Sequence, residues 1–168
     1  MSIETQAGTT TSRLSWDDYF MVVADAISGR ATCNRARSGC VIALGNQLLV
    51  AGYVGAPSGL PHCDDVGHEF ATLTRSDGQV SKHCVRTVHA EQNAICQAAK
   101  RGIAIAGATM YTRMTPCATC AKLIINCGLR RVVCERRYHA GADAERMFRS
   151  AGIELVYRND EVQQYPEE

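Results

Sequence analysis

His89-Ala90-Glu91 and Pro116-Cys117-Ala118-Thr119-Cys120 are the stretches that decide how this chain is read. One imidazole and two thiolates are three donors suited to Zn²⁺, and a three-ligand site keeps its fourth tetrahedral position open. Glu91, two residues past the histidine, can stand beside that position without being a ligand. A helix beginning at Thr87 or Val88 and running to about Arg101 places His89 and Glu91 in its first turn. A second helix, over residues 117–127 and ended by Gly128, opens with both cysteines. Helix N-termini carry positive partial charge, which lowers thiol pKa and favours anionic ligands. C-x-x-C at such a start sets its sulfurs about one turn apart at one helix end, and Pro116 is tolerated at a helix entry because its missing N–H would be unpaired there anyway.

Outward from these motifs, Ser15 reads as an N-cap with Asp18 at the third helical position, opening an amphipathic helix through Tyr19, Phe20, Val23 and Ile27 to Gly29. Residues 40–44 and 48–53, around Gly45-Asn46-Gln47, read as a β-hairpin. Residues 55–82 read as one long loop rich in Gly, Pro, Asp and His. Strands are expected at 108–112, 131–134 and 153–156, with a helix over 143–151 ended by Gly152. This order predicts an α/β chain, a three-layer α/β/α domain with a mixed five-stranded sheet, whose helix-linked strands run parallel. The domain is expected over residues 15–157, with a flexible N-terminal tail at 1–14 and a C-terminal tail at 158–168.

At 168 residues the chain is long enough for one domain with a real core. Its net charge of +1 and lack of a basic tract argue against a nucleic-acid polymer as partner, since polymer binding draws on many phosphate contacts. No apolar run approaches a membrane span. Residues 1–13 lack the apolar stretch of a secretory signal, so the expected location is cytoplasmic. There, nine cysteines read better as metal ligands and core residues than as disulfides.

The chemistry follows from the parts. Zinc lowers the pKa of water toward neutrality, and hydroxide can attack a ring carbon that bears an exocyclic amine, with cytosine C4 the candidate. Glu91 would carry the proton from water to the ring nitrogen and then to the leaving amine, general acid–base work typically worth about 10²–10⁴-fold. Two blander readings are a closed zinc knuckle and a pair of buried core cysteines. His89-x-Glu91, one ligand and one acid, weighs against the first, and Pro116 together with His89-Ala90-Glu91 against the second. A catalytically silent zinc module would have no use for Glu91.

The order H-x-E…P-C-x-x-C is the signature of zinc nucleobase deaminases. Cys33-x-Arg35, Gly52-Tyr53-x-Gly55, Cys63-Asp64-Asp65, His83-Cys84-x-Arg86-Thr87-x-His89-Ala90-Glu91-x-Asn93-Ala94 and Pro116-Cys117-x-x-Cys120-Ala121-Lys122 together resemble the deoxycytidylate (dCMP) deaminases, bacterial and phage types above all. The resemblance covers roughly residues 15–157. It implies a cytidine-deaminase-like fold, zinc-dependent hydrolysis of dCMP to dUMP for dTMP supply, a homo-oligomer with a hexamer favoured, and dCTP and dTTP as effectors. Another cytosine nucleoside or nucleotide, or a different amino-nucleobase, is the alternative substrate. Members commonly carry Gly-Tyr-Asn-Gly, the asparagine helping to hold the sugar. Here Val54 has no donor or acceptor, so either another group makes that contact or the pyrimidine differs.

Cys33, Cys63, His68 and Cys84 are a candidate set for a second, structural zinc, with His62 and His83 as alternates. A metal clip would offset the ordering entropy of the long loop, and some members of the resembled family carry one; free cysteines and loop histidines are the other reading. Cys40, Cys96, Cys127 and Cys134 are expected as small buried hydrophobes. Arg35 and Arg37 are the first candidates for a phosphate, followed by Arg86 and Lys122. Tyr138 could stack on a base at a strand's carboxyl end, where α/β ligands bind. The candidate substrate-binding set is Arg35, Tyr53, Val54, Ala90, Thr115 and Tyr138.

Overall fold

Helix α1 (Trp16–Ser28) starts where its capping signal lies: the Ser15 side chain accepts the Asp18 N–H at 3.1 Å. Phe20, Ala24 and Ser28 fall on one face and are buried, which fixes the side turned to the sheet. The computed structural model from which these positions come describes residues 12–74, Gly78 and residues 80–164. Most of the N-terminal tail expected at 1–14, and the last four residues of the chain, lie outside that range.

Strands β1 (Gly39–Leu44) and β2 (Gln47–Tyr53) form the expected hairpin. Gly45 and Asn46 turn it with φ of 55° and 65°, the doubly left-handed turn that matches strand twist and that Gly and Asn tolerate best. After a segment taken up below come α3 (Ala90–Arg101), β5 (Thr109–Met114), α4 (Ala118–Asn126), β6 (Arg131–Tyr138), α5 (Ala142–Ala151) and β7 (Glu154–Tyr157). The sheet order is β2-β1-β5-β6-β7. β1 is antiparallel to both its neighbours, whereas β5, β6 and β7, each joined to the next through a helix, run parallel.

Residue alternation along the strands sorts the core into two layers. Phe20 and Ala24 of α1 pack with Val41, Ala43, Tyr111 and Val133 on one face. On the other, Ala90, Ala94 and Ala98 of α3, Ile124 of α4 and Phe148 of α5 pack with Cys40, Ile42, Met110 and Val132. Phe148 is fully buried, and such burial contributes roughly 1.5–3 kcal/mol to holding α5 in place. This is the three-layer α/β/α sandwich with a mixed sheet that the element order predicts. Asp17 clamps α1 from outside the core, accepting Arg131 at 2.7 and 2.9 Å and the Tyr111 hydroxyl at 3.0 Å. The Arg131 guanidinium holds the Asp17 carboxyl below its ordinary range against the opposing effect of burial.

Gly52 sets where α3 begins. A Cβ there would lie 2.4 Å from Ala94 N and 2.5 Å from Ala90 O, so only glycine lets the first turns of α3 lie directly on β2. Asn93 Nδ2 then donates to the Tyr53 carbonyl at 3.0 Å, tying the helix to the strand end.

Four expectations are corrected. Residues 55–82 are not a single loop: they contain α2 (Cys63–Val66) and most of a hairpin, β3 (Phe70–Thr74) with β4 (Val80–Cys84). A four-residue helix and a separate two-stranded sheet bury too little to leave a hydrophobic period in the sequence, and a lone hairpin is marginal by itself. β6 continues through Glu135-Arg136-Arg137 to Tyr138 rather than ending at Cys134, its charges engaged laterally, Arg137 with Glu145 at 2.9 Å. The segment after Tyr157, expected as tail, places β8 (Val162–Gln163) beside Arg137 and Tyr138 and Arg158 on the Asp18 carboxylate. Cys40 and Cys134 are fully buried, as expected for small hydrophobes, but Cys127 is only half-buried and Cys96 is exposed on α3. Among the described residues no helix is long and apolar enough to cross a membrane.

Candidate active site

Two helix N-termini meet at the site. His89 is the N-cap residue of α3 and Cys117 that of α4; α4 therefore starts one residue later than the sequence pattern places it, and α3 two or three. Gln92 accepts the His89 N–H at 3.0 Å and steadies the first turn of α3. His89 Nδ1 lies 3.5 Å from Cys117 Sγ and 3.4 Å from Cys120 Sγ. Zinc bonds of about 2.3 Å to sulfur and about 2.0–2.1 Å to nitrogen at tetrahedral angles require S···N separations of about 3.6 Å, so the three donors fit the ion.

Their electrostatics favour a dication. The hydrogen bond shared with Cys120, assisted by His89 and opposed by burial, brings the Cys117 thiol down to about 3. The same bond pushes the Cys120 thiol far up. His89, hydrogen-bonded to Cys117, is raised to about 9 despite burial. Two thiols this close titrate as a pair, and an imidazolium balances only one of their two negative charges. A divalent cation balances both and leaves His89 neutral as a ligand.

Glu91, on the first turn of α3, is 8 % exposed. Burial raises its carboxyl above the ordinary range, with the His89 charge pulling the other way. Thr112 donates to its Oε1 at 3.5 Å, and Oε2 lies 4.0 Å from Cys120 Sγ. The carboxyl thus sits against the three-donor cluster without joining it, and its desolvation makes gaining a proton easy.

A cavity opens over His89, Glu91 and Cys117. Of the candidate substrate residues, Arg35, Val54, Ala90, Thr115 and Tyr138 line it. Val54, Ala90 and Thr115 are buried, Arg35 and Tyr138 half-buried. Tyr53 is the correction. Neighbouring residues leaving a strand face opposite ways; Val54 takes the cavity side, and the Tyr53 ring lies beside Gly55. Three further candidates for phosphate are held elsewhere: Arg37 by the Ala31 carbonyl and by Asp64 at 3.2 Å, Arg86 by Glu69 at 3.4 Å, and Lys122 exposed on α4. Lys82 and His83, which the sequence did not put forward as cavity residues, reach the lining from β4. Recognising that hairpin was the only route to them.

Cys33, Cys63, His68 and Cys84 form a second cluster, with donor atoms all within 4.8 Å of one another and the alternates His62 and His83 outside it. Cys63 and Cys84 sulfurs are 3.6 Å apart, and Cys33 Sγ is 3.7 Å from His68 Nδ1. Tetrahedral edges around zinc are about 3.8 Å between sulfurs and about 3.6 Å from sulfur to nitrogen, so these four donors fit a closed site. The cluster joins the segment before β1, helix α2, and the open end of the β3–β4 hairpin. Cys33 and Cys84 also belong to the cavity wall.

Residues 14–136 match the family described as "Cytidine and deoxycytidylate deaminase zinc-binding region". ComE operon protein 2 of Bacillus subtilis is 35% identical over 141 residues, which are 84% of this chain and 70% of that protein. The deoxycytidylate deaminase of Schizosaccharomyces pombe is 32% identical over 143 residues, 85% of this chain but 44% of the yeast protein, so the chain spans less than half the length of that relative. In fold, the chain is similar to the dCMP deaminase of cyanophage S-TIM5, solved in complex with dCMP and dUMP. The TM-score is 0.69 at 24% identity, with 87% of this chain and 98% of the phage chain covered.

Proposed function

Because the chain belongs to the cytidine and deoxycytidylate deaminase family, we propose that it hydrolyses dCMP, with water, to dUMP and ammonia. The observation that carries this is the open three-donor cluster of His89, Cys117 and Cys120 with buried Glu91 against it, under a cavity that has cationic residues in its lining. A zinc ion in a site of this kind supplies Lewis-acid polarisation and lowers the pKa of water from 15.7 to about 7.

The chain's own residues do the rest. Glu91 accepts the proton that water loses as its oxygen bonds to C4, and passes it to the adjacent ring nitrogen. It then carries the remaining proton of the C4 hydroxyl to the exocyclic amine, which leaves as ammonia when the C4–N bond breaks and the C4 carbonyl forms. Thr112 limits the positions this carboxylate can adopt. Buried Val54 and Ala90 present apolar surface to the pyrimidine, and Tyr138 offers an aromatic edge. Arg35, held over the Phe70 ring at 5.0 Å, and Lys82 of β4 are suited to the 5′-phosphate. Charged hydrogen bonds to a phosphate orient a substrate as well as bind it. Val54 leaves the sugar to backbone groups or to other side chains. A cytoplasmic homo-oligomer, hexameric as the resemblance favours, with dCTP and dTTP as effectors, completes the reading.

Ammonia release from dCMP, dCTP, deoxycytidine, cytosine and guanine, compared side by side, tests it. The expected order has dCMP first in kcat/KM. Deoxycytidine, cytosine or guanine turned over better than dCMP would move the chain to another substrate.

The second cluster belongs to the same reading as a structural zinc site on Cys33, Cys63, His68 and Cys84. Elemental analysis is expected to give two zinc ions per chain, falling to one in Cys63→Ser. The ion in the open site yields to chelators first, and the closed one leaves only with loss of folded structure. One zinc per chain, unchanged in Cys63→Ser, would remove the clip.

A further inference from the structure

The last backbone pair between β5 and β6 is Met114 with Arg136. Beyond it the two strands enter the cavity wall as Thr115 and Tyr138. Successive N–H groups of a strand point to opposite sides. Those of Arg137 and His139 go to β8, donating to the Glu161 and Gln163 carbonyls at 2.8 and 3.2 Å. The N–H of Tyr138 points the other way, toward β5, and is accepted by the Thr115 side chain at 3.1 Å. Thr115 Oγ1 therefore serves as one more rung of the ladder, made by a side chain.

Thr115 is 3 % exposed, and its hydroxyl also lies 2.9 Å from the Tyr157 hydroxyl. Tyr157 has a single hydroxyl proton, which it donates to Glu145 Oε1 at 2.7 Å. Counting protons then gives the remaining direction: Thr115 donates to Tyr157. The chain of donors runs Tyr138 N–H to Thr115, Thr115 to Tyr157, and Tyr157 to the Glu145 carboxylate. Arg137 ends it by pairing with Glu145 at 2.9 Å and covering the Tyr157 ring at 4.0 Å. Each hydroxyl gives one proton and accepts one, so neither can rotate without breaking two of these hydrogen bonds.

We infer that Tyr157 and Glu145 are positioning residues for the reaction: through Thr115 they hold the Tyr138 backbone, and with it the β6 wall of the cavity, in the position that receives substrate. This rests on the dCMP reading only for the identity of that substrate. Cys117 and Cys120 are placed by the start of α4, two residues and more beyond Thr115, so zinc content is read beside KM.

Tyr157→Phe keeps the ring and its contact with Arg137 and removes only the hydroxyl. The expected result is a KM for dCMP raised roughly three- to ten-fold, what losing about one net hydrogen bond produces, with kcat and zinc content unchanged. The Tyr138 amide, followed by hydrogen exchange without any substrate, is expected to exchange faster by a similar factor. Thr115→Ser, which keeps the relay, is expected to leave Tyr138 amide exchange at the parent rate. Thr115→Val removes the acceptor itself, and adding Tyr157→Phe to it is expected to change little more, as for residues acting in one unit. Unchanged Tyr138 exchange in Tyr157→Phe would overturn the inference. So would faster exchange spread evenly over the whole chain, or faster Tyr138 exchange with KM unaltered. A parent protein that does not turn over dCMP would defeat the proposed substrate instead, and the exchange measurement would still decide the relay.

Discussion

Cys120→Ala is expected to bring turnover to background and to strip metal from the open site, with the fold intact. Only two protein donors, His89 Nδ1 and Cys117 Sγ, would remain of the three that meet within 4.8 Å. A site with three protein ligands has none to spare, and the affinity lost with one of them exceeds what two donors can hold through desalting. Without the ion there is no means of ionising water at neutral pH. The expected loss is about 10⁶-fold or more, the lower end of ordinary enzymatic rate enhancement. Cys120 is fully buried, but Cys→Ala removes one atom, which is a small cavity by the standard of core truncations. Elemental analysis, circular dichroism and ammonia release on one preparation check all three parts. Full activity in zinc-free Cys120→Ala would sink the assignment.

Glu91→Ala is expected to keep zinc and fold while losing at least about 10²-fold in kcat, the lower range for a general acid–base. Its carboxylate is the group that the site holds beside the donors at a cost. Burial pushes it toward the neutral form, and a desolvated carboxyl is unfavourable unless well paired. Relieving that cost predicts a thermal midpoint in Glu91→Gln equal to or above the parent, with activity still lost. Stability maintained with turnover gone separates a chemical role from a structural one. Near-normal turnover in Glu91→Ala would mean that the proton moves by another group.

The three-donor cluster was legible because metal ligation constrains residue type and spacing within short stretches. His89-Ala90-Glu91 and Cys117-x-x-Cys120 each sit within one helical turn, so local geometry already aims them. The four members of the second cluster were legible for the same chemical reason, although they are drawn from separate segments: few residue types bind zinc, and a loop of 55–82 needs something to order it. The β3–β4 hairpin was not legible. Its strands bury little, so no apolar alternation marks them, and Lys82 and His83 of the cavity were missed along with it. Tyr53 was misplaced for a different reason. Alternation says that Tyr53 and Val54 face opposite ways, but which of them faces the cavity is decided by where β2 lies under α3, through the contact at Gly52.

By itself the sequence determined the layered α/β architecture and the grouping of His89, Cys117 and Cys120 with Glu91 beside them, because helix period, strand alternation and ligand chemistry are all properties of neighbouring residues. Only the tertiary structure decided the walls of the cavity. Thr115 meets Tyr157 across a separation of 42 residues, and Arg35 meets the Lys82 carbonyl across 47. Contacts at that range leave no periodic trace in the chain. They arise when the sheet order brings β5, β6 and β7 side by side and sets the β3–β4 hairpin beside Arg35, and hydrogen bonds between such distant groups form only once packing has already supplied the entropy of closing those loops.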